Sequence, residues 1–334
     1  MAKIVLGLSG GVDSAVAARL LQREGHEVLG LFLDIGDDTA RAGAVSAAEF
    51  LGVELRIADV SGPLEKCVCA PFTSSYLRGE TPNPCIMCNP AVKFKSLLDC
   101  ADETGAELIA TGHYARAEDG ALYKGRPAND QSYMLCRLTR GQVSRLTLPL
   151  GGLEKTQTRA LAEEFRLPMA RKADSMEICF IPDRDYAGYI SRRAALPGPG
   201  DFIFHGEKTG RHEGIHRWTV GQRIPGLYNE RKLYVLRIVP ERNEIELGLW
   251  EELFKSTVRA GNMSWLIDPP EKPLRGSVKV RHTKWECPGC TVTPLPDGGV
   301  EITADEPLRA PAPGQSAVIY QGDRVLGGGY IAPE

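Results

Sequence analysis

Apolar and polar positions alternate in blocks through the first half of the chain. Ile4 to Leu8 is a short apolar run suited to a buried parallel strand, and Ala15 to Leu21 has the spacing of a helix that stops at Gly25. Asp13 or Ser14 is the expected cap of that helix. The alternation continues with a strand near 27–33, a helix over 40–51 ending at Gly52, a strand over 53–60 and a helix between Pro63 and Leu77. A proline-rich loop covers 79–89, Pro90 opens a further helix, and Glu107 to Tyr114 reads as a strand entering a polar turn. A last helical pattern runs from Lys155 to Phe165, followed by a loop over 172–179. Strands and helices in this order predict an α/β fold with a doubly wound, mostly parallel sheet. Ligands of such folds sit at the carboxyl ends of the strands. The loops after Leu8 and Ala110 fall at that edge, with the proline-rich loop beside them.

After Leu196-Pro-Gly-Pro-Gly200 the texture changes to short β-rich runs with turns between them, such as 233–239 and 244–249. Beyond Thr257 only strands and turns are expected, including 276–280, 291–293, 316–320 and 325–330. This spacing predicts a small β-barrel. The expected domains are 1–198, 199–256 (a small central unit) and 257–334 (the barrel).

The 334 residues suffice for several domains with their own cores. No apolar run reaches membrane-spanning length and the first residues lead straight into a strand, so a cytoplasmic protein with no membrane partner is expected. The net charge of −3 confines any nucleic-acid surface to a local patch. Nine cysteines in a reducing compartment are expected to be buried, metal-binding or catalytic rather than disulfide-bonded.

Between the first strand and helix stands Gly7-Leu8-Ser9-Gly10-Gly11-Val12-Asp13-Ser14. A glycine turn opening a helix converges backbone N–H groups into a phosphate cradle. No lysine follows Gly11, which excludes the Walker pattern, and the glycine spacing does not fit the dinucleotide fingerprint. Asp34, at the end of the second strand, is nevertheless where a dinucleotide fold would carry its ribose-binding acid. Ser-Gly-Gly-x-Asp-Ser instead resembles the PP-loop of the ATP pyrophosphatases. That resemblance implies ATP and Mg2+ as cofactors, AMP and pyrophosphate as products, and residues 7–14 around the pyrophosphate end of the nucleotide.

The proline-rich loop carries Cys85 and Cys88 as a Cys-x-x-Cys ahead of a helix start, a position that lowers thiol pKa. The spacing alone fits a redox pair, half a zinc site or part of an iron–sulfur site. Cys179 follows a charged loop in a short apolar run. Two such separated thiols can exchange a persulfide and close to a disulfide as sulfur leaves. The other cysteines carry less. Cys67 and Cys69 are expected as helix residues near the core, Cys100 and Cys136 as inert, and Cys287-Pro-Gly-Cys290 as a hairpin turn rather than a metal half-site. His205, His212 and His216 are expected at surface or structural positions, and Trp218 and Trp265 in cores.

The motifs Gly-Leu-Ser-Gly-Gly-Val-Asp-Ser, Thr81-Pro-Asn-Pro-x-x-x-Cys-Asn89, Ala110-Thr-Gly-His-Tyr-Ala-Arg116, Asp130-Gln-Ser-Tyr133, Asp174-Ser-x-x-Ile-Cys-Phe-Ile181, Thr219-Val-Gly-Gln-Arg223 and Pro313-Gly-Gln-Ser-Ala-Val318 follow one another along essentially the whole chain. Together they resemble the bacterial tRNA-specific 2-thiouridylases. The resemblance implies adenylation of the 2-carbonyl of a tRNA wobble uridine and replacement of its oxygen by persulfide sulfur. It implies Cys88 as nucleophile, Cys179 as persulfide carrier, and Asp13 and Cys85 in the catalytic set. Leu33 and Gly112 would touch ATP, and Asn83, Pro84 and Cys85 the target base. His113, Asn129, Asp130, Gln131, Arg281, His282 and Gln315 fall at tRNA-contacting positions. The implied partners are a tRNA anticodon stem-loop and a persulfide or sulfide donor.

Cys85 stands where many members carry Asp, so Cys85, Cys88 and Cys179 also form a set able to hold a [4Fe-4S] cluster. Asn129 replaces a usual Lys, His282 replaces a usual Tyr, and the stretch 34–51 is short. Competing expectations are a cluster-dependent paralogue acting on another RNA or base, a PP-loop ligase adenylating a small molecule, and a non-catalytic RNA-binding descendant.

Overall fold

The structure, a computed structural model, describes residues 1–173, 178–226 and 232–333. Strands β1 (Lys3–Gly7), β2 (Glu27–Asp34), β3 (Leu55–Asp59) and β4 (Leu108–Ala110), with the short strand Leu146–Thr147, form a five-stranded sheet. Its order is β3-β2-β1-β4 and then Leu146–Thr147, all parallel. The order reverses beside β1, and the loop after β1 therefore opens at the switch point. Ile4, Val5 and Leu6 are fully buried because both faces are covered. Helices α1 (Val12–Arg23) and α2 (Asp38–Leu51) share one core with the far side of β1, built from Ile4, Leu6, Ala15 and Leu21. The opposite face packs Val5, Leu29 and Ile109 against Phe94 and Leu97.

The alternating first half and the barrel are as the pattern predicts. Three local features differ. The helix expected from Pro90 begins at Pro84 and runs to Thr104, passing through a wider turn over Asn89–Lys93. Asn83 is its cap, accepting from the Cys85 and Ile86 amides at 3.2 and 3.4 Å, so Cys85 lies in the first turn, Cys88 opens the second, and neither is in the loop before the helix. Helix α1 is capped by the Gly11 backbone, with no side-chain cap bond. Ser14 points back to the Gly11 carbonyl at 3.1 Å instead.

The central unit is a five-stranded sheet whose core holds Phe202, Val235, Ile245 and Leu247. His212 and His216 are buried in this unit. The C-terminal strands Phe254–Trp265, Val300–Arg309, Cys287–Pro294, Leu274–Lys279, Ser316–Gln321 and Arg324–Ile331 pair antiparallel in that order, and the last closes back on the first. Cys287-Pro-Gly-Cys290 is not a hairpin turn. It lies within a strand, where a register shift against Gly276 and Val278 turns both thiols into the barrel core. A hairpin from the first unit, Ala115–Glu118 and Ala121–Lys124, extends this sheet through Tyr123 and Arg324. Lys279 and Asp130, with side chains 10% and 6% exposed, meet across the junction at 3.4 Å. The α/β unit and barrel are thus pinned together beside the carboxyl edge of the parallel sheet.

Candidate active site

The loop after β1 is built for close backbone approach. Gly10 has φ +70°, and a Cβ there would meet the Gly43 carbonyl carbon at 2.5 Å. Gly112, in the turn after β4, passes so near the loop that a Cβ would lie 3.0 Å from the Asp13 carbonyl carbon. Ser9 and Ser14 brace the turn, with their hydroxyls 3.2 Å apart and the Ser9 amide on Ser14 Oγ at 3.3 Å. Because no side chain caps α1, its first-turn amides keep their donors directed out of the helix end, where an anion fits. The residues fit a nucleotide polyphosphate and the carboxylate of Asp13 fits an associated Mg2+.

Asp13 is partly buried. Its Oδ1 accepts from the Tyr114 hydroxyl at 2.8 Å, and both its oxygens accept from Lys155 Nζ at 2.7 Å. Tyr114 belongs to the Ala110–Arg116 motif, whereas Lys155, 142 positions from Asp13, carried no signal in the sequence. On the other flank Lys172 Nζ donates to the Gly10 carbonyl at 3.3 Å. Asp34 is buried and committed to the Gly36 amide at 2.9 Å and to Arg41, which leaves it no role as a ribose acid.

The thiols collect at the same sheet edge. Cys88 and Leu33 pack against one apolar cluster with Val60, Val68 and Cys69, which also takes up Phe180, the neighbour of Cys179. Cys85 and Cys179 are exposed and Cys88 is half-buried. A cavity of about 650 Å³ beside them has Cys69, Cys179, Ser61 and Tyr189 on its wall. Cys69, expected as a bland helix residue, is therefore a neighbour of the site. Burial pushes the Cys88 thiol up, against the pull of Lys93. Although the Cys179 residue as a whole is exposed, desolvation of its thiol, then the neighbouring Cys88 and Cys85 sulfurs, pushes it up to about 11. Cys88 stands beyond the first turn, and burial rather than the helix end sets the direction of its shift. Among the described residues no three His, Cys, Asp or Glu side chains gather into a group that could hold a metal. Asp174 and Ser175 of the expected motif lie outside the described residues. A separate hollow of about 390 Å³ near Arg56 and Cys100 holds none of the expected residues.

The residues expected at tRNA are drawn together, and most also bind the protein itself. His113 stacks on Phe94 with ring centroids 5.9 Å apart and meets Thr111 Oγ1 through Nδ1 at 2.7 Å. Burial, then Lys93, holds it well below the usual histidine range. Asn129 reaches the Leu153 carbonyl and the Lys155 amide, each at 3.4 Å. Gln131 accepts from the Tyr114 amide at 2.9 Å. Asp130 accepts from the Gly125 and Ser132 amides and the Ser132 hydroxyl. From the barrel, Arg281 donates to the Ala310 and Val220 carbonyls, and exposed His282 lies 5.7 Å from the Tyr133 ring. Gln315 donates to the Thr81 carbonyl at 2.7 Å. Pro84 is buried in the first turn of its helix, beside exposed Cys85. No helix among the described residues is long and apolar enough to cross a membrane.

Residues 2–183 match a family described as "tRNA methyl transferase HUP domain", 191–248 its PRC-barrel domain, and 255–331 an aminomethyltransferase beta-barrel domain. A protein of Pelobacter propionicus named tRNA-specific 2-thiouridylase MnmA is 40% identical over 345 residues, covering 98% of this chain and 97% of its own. A protein of the same name from Pelotomaculum thermopropionicum is 42% identical over 354 residues, again covering 98% of this chain and 97% of its own.

Proposed function

This chain belongs to the tRNA-specific 2-thiouridylase family, and on that premise we propose that it forms 2-thiouridine in tRNA at the expense of ATP. The observation that carries the reading is the shared sheet edge: the uncapped, glycine-turned end of α1 and the thiol group around Cys88 and Cys179 open on the same side. Paired thiols beside a phosphate cradle suit sulfur insertion.

The uridine 2-oxygen attacks the α-phosphorus of ATP, and pyrophosphate leaves toward residues 9–14. Mg2+ supplies charge neutralisation to the phosphates, with Asp13 as the carboxylate that would face it. AMP attached to the oxygen turns a poor leaving group into a good one. The terminal sulfur of a Cys179 persulfide then bonds to C2, and AMP departs with the former oxygen. The Cys88 thiolate attacks the Cys179 sulfur, the bond to the transferred sulfur breaks, and its electron pair stays with the new thiocarbonyl. The remaining Cys88–Cys179 disulfide must be reduced by an external thiol before the next cycle. The target base must leave its stack to reach this edge, and His113, Asn83 and Pro84 are the groups that would receive it.

The test is anaerobic purification with iron and sulfide analysis, then incubation with tRNA, ATP, Mg2+ and a persulfide source and mass spectrometry of the nucleosides. 2-Thiouridine formed by iron-free protein, with AMP released, is expected. Product formed only by iron-loaded protein would replace the relay with cluster chemistry. No thiolated nucleoside under either condition would overturn the reading.

A further inference from the structure

Lys155 occupies a position that its own helix does not favour. It is the first residue of the helix Lys155–Glu164, where a cation opposes the helix dipole. The backbone there is held by the Gln157 side chain, whose Oε1 accepts from the Glu154 amide at 2.7 Å. From that fixed root the side chain reaches Asp13, placing Nζ 2.7 Å from each carboxylate oxygen and 5.5 Å from the centre of the Tyr114 ring. Both side chains are partly open, at 27% and 31% exposure. An ion pair so placed contributes little stability, which argues against a purely structural role. What the pair does is set the charge of the loop. Asp13 alone would repel a polyphosphate at the uncapped end of α1, and Lys155 cancels that charge while standing within reach of the same space.

We propose that Lys155 is a phosphate-binding residue of the nucleotide site. Its ammonium rests on Asp13 in the empty protein and moves to polyphosphate oxygens when ATP binds, and the released carboxylate is then free to face Mg2+. Lys172, on the Gly10 carbonyl, supplies a second positive charge on the opposite flank. The inference rests on the ATP-dependent reading above.

Calorimetric titration of wild type, Lys155→Met and Lys155→Arg with ATP, inorganic pyrophosphate and AMP, each with Mg2+, tests it. Lys155→Met is expected to weaken ATP and pyrophosphate binding about tenfold to a hundredfold, the loss of a charge-assisted contact, and to change AMP binding less than about threefold. Lys155→Arg is expected to recover much of the loss, and the melting temperature of the empty variants is expected to stay near wild type. Unchanged ATP affinity in Lys155→Met, or an equal loss for AMP, overturns the proposal and leaves the parent reading intact. Wild type that binds no ATP would sink the parent reading itself. Should Lys155→Met not fold, Lys155→Gln, which keeps a donor toward Asp13, carries the same comparison.

Discussion

The side-chain amide of Gln315, at the mouth of the barrel, donates to the main-chain carbonyl of Thr81 at 2.7 Å. The Thr81 amide returns a bond to the Pro313 carbonyl, also at 2.7 Å. The barrel therefore grips the stem of the segment that carries Asn83, Cys85 and Cys88. Gln315→Ala removes one neutral hydrogen bond, worth about 1 kcal/mol, and frees the stem without touching the nucleotide loop. The expected outcome is slower thiolation at unchanged ATP affinity, read by nucleoside analysis beside calorimetry. Thiolation at the wild-type rate would show that the grip does not position the thiols.

The thiols divide by role. Cys88→Ser and Cys179→Ser are each expected to abolish 2-thiouridine while leaving ATP binding intact, because neither sulfur belongs to the loop around Ser9–Ser14. Cys85 is exposed, and its replacement by Ser is expected to retain a substantial fraction of product if sulfur passes between the other two. Total loss of product in Cys85→Ser, accompanied by loss of bound iron, would move the chemistry to a cluster.

Much of this arrangement was legible in the residues, and what was not has a physical reason. The phosphate loop could be read because its glycines, strand and helix are contiguous. The helix start at Pro84 could not, because Thr81-Pro-Asn-Pro carries turn signals, and only the Asn83 cap decides where helix begins. The burial that pushes the Cys88 thiol up comes from packing beside Val60, Val68 and Cys69, segments brought together only by folding and so not written in the local sequence. The strands Ala115–Glu118 and Ala121–Lys124 are short and mixed in polarity, and their attachment to the barrel is a long-range pairing that no local pattern encodes. The contact of Lys155 with Asp13 is of the same kind.

Gly112 offers a steric test of the nucleotide loop. A methyl group there would lie 3.0 Å from the Asp13 carbonyl carbon and 3.1 Å from the Ser14 amide nitrogen. The φ of Gly112 is outside the left-handed range, so Gly112→Ala adds crowding without backbone strain. The turn after β4 and the first turn of α1 must part by a few tenths of an ångström, which displaces the amides that face the phosphates. ATP affinity is expected to fall about tenfold with the fold retained, as checked by circular dichroism and titration. An alanine variant that binds ATP as tightly as wild type would mean that the close approach has no part in the nucleotide site.

Stability is expected to depend on pH through buried histidines. Burial holds His212 and His216 below the ordinary value of 6.5, and His113 well below it. The sign follows from proton counting. Below that ordinary value the unfolded chain takes up protons that the folded chain refuses, so stability is complete above it and lost as pH falls toward the folded values. Each such histidine adds a slope of up to ~1.4 kcal/mol per pH unit. Urea unfolding midpoints should therefore fall between about pH 7 and about pH 5, before most carboxylates titrate. His216 isolates the cause, since neither ring nitrogen has a hydrogen-bond partner among the described residues. His216→Leu removes a titrating group without breaking a bond, so it should flatten part of the slope and gain on wild type as the solution is acidified. A variant whose midpoints track wild type in parallel across that range would assign the acid sensitivity to other groups.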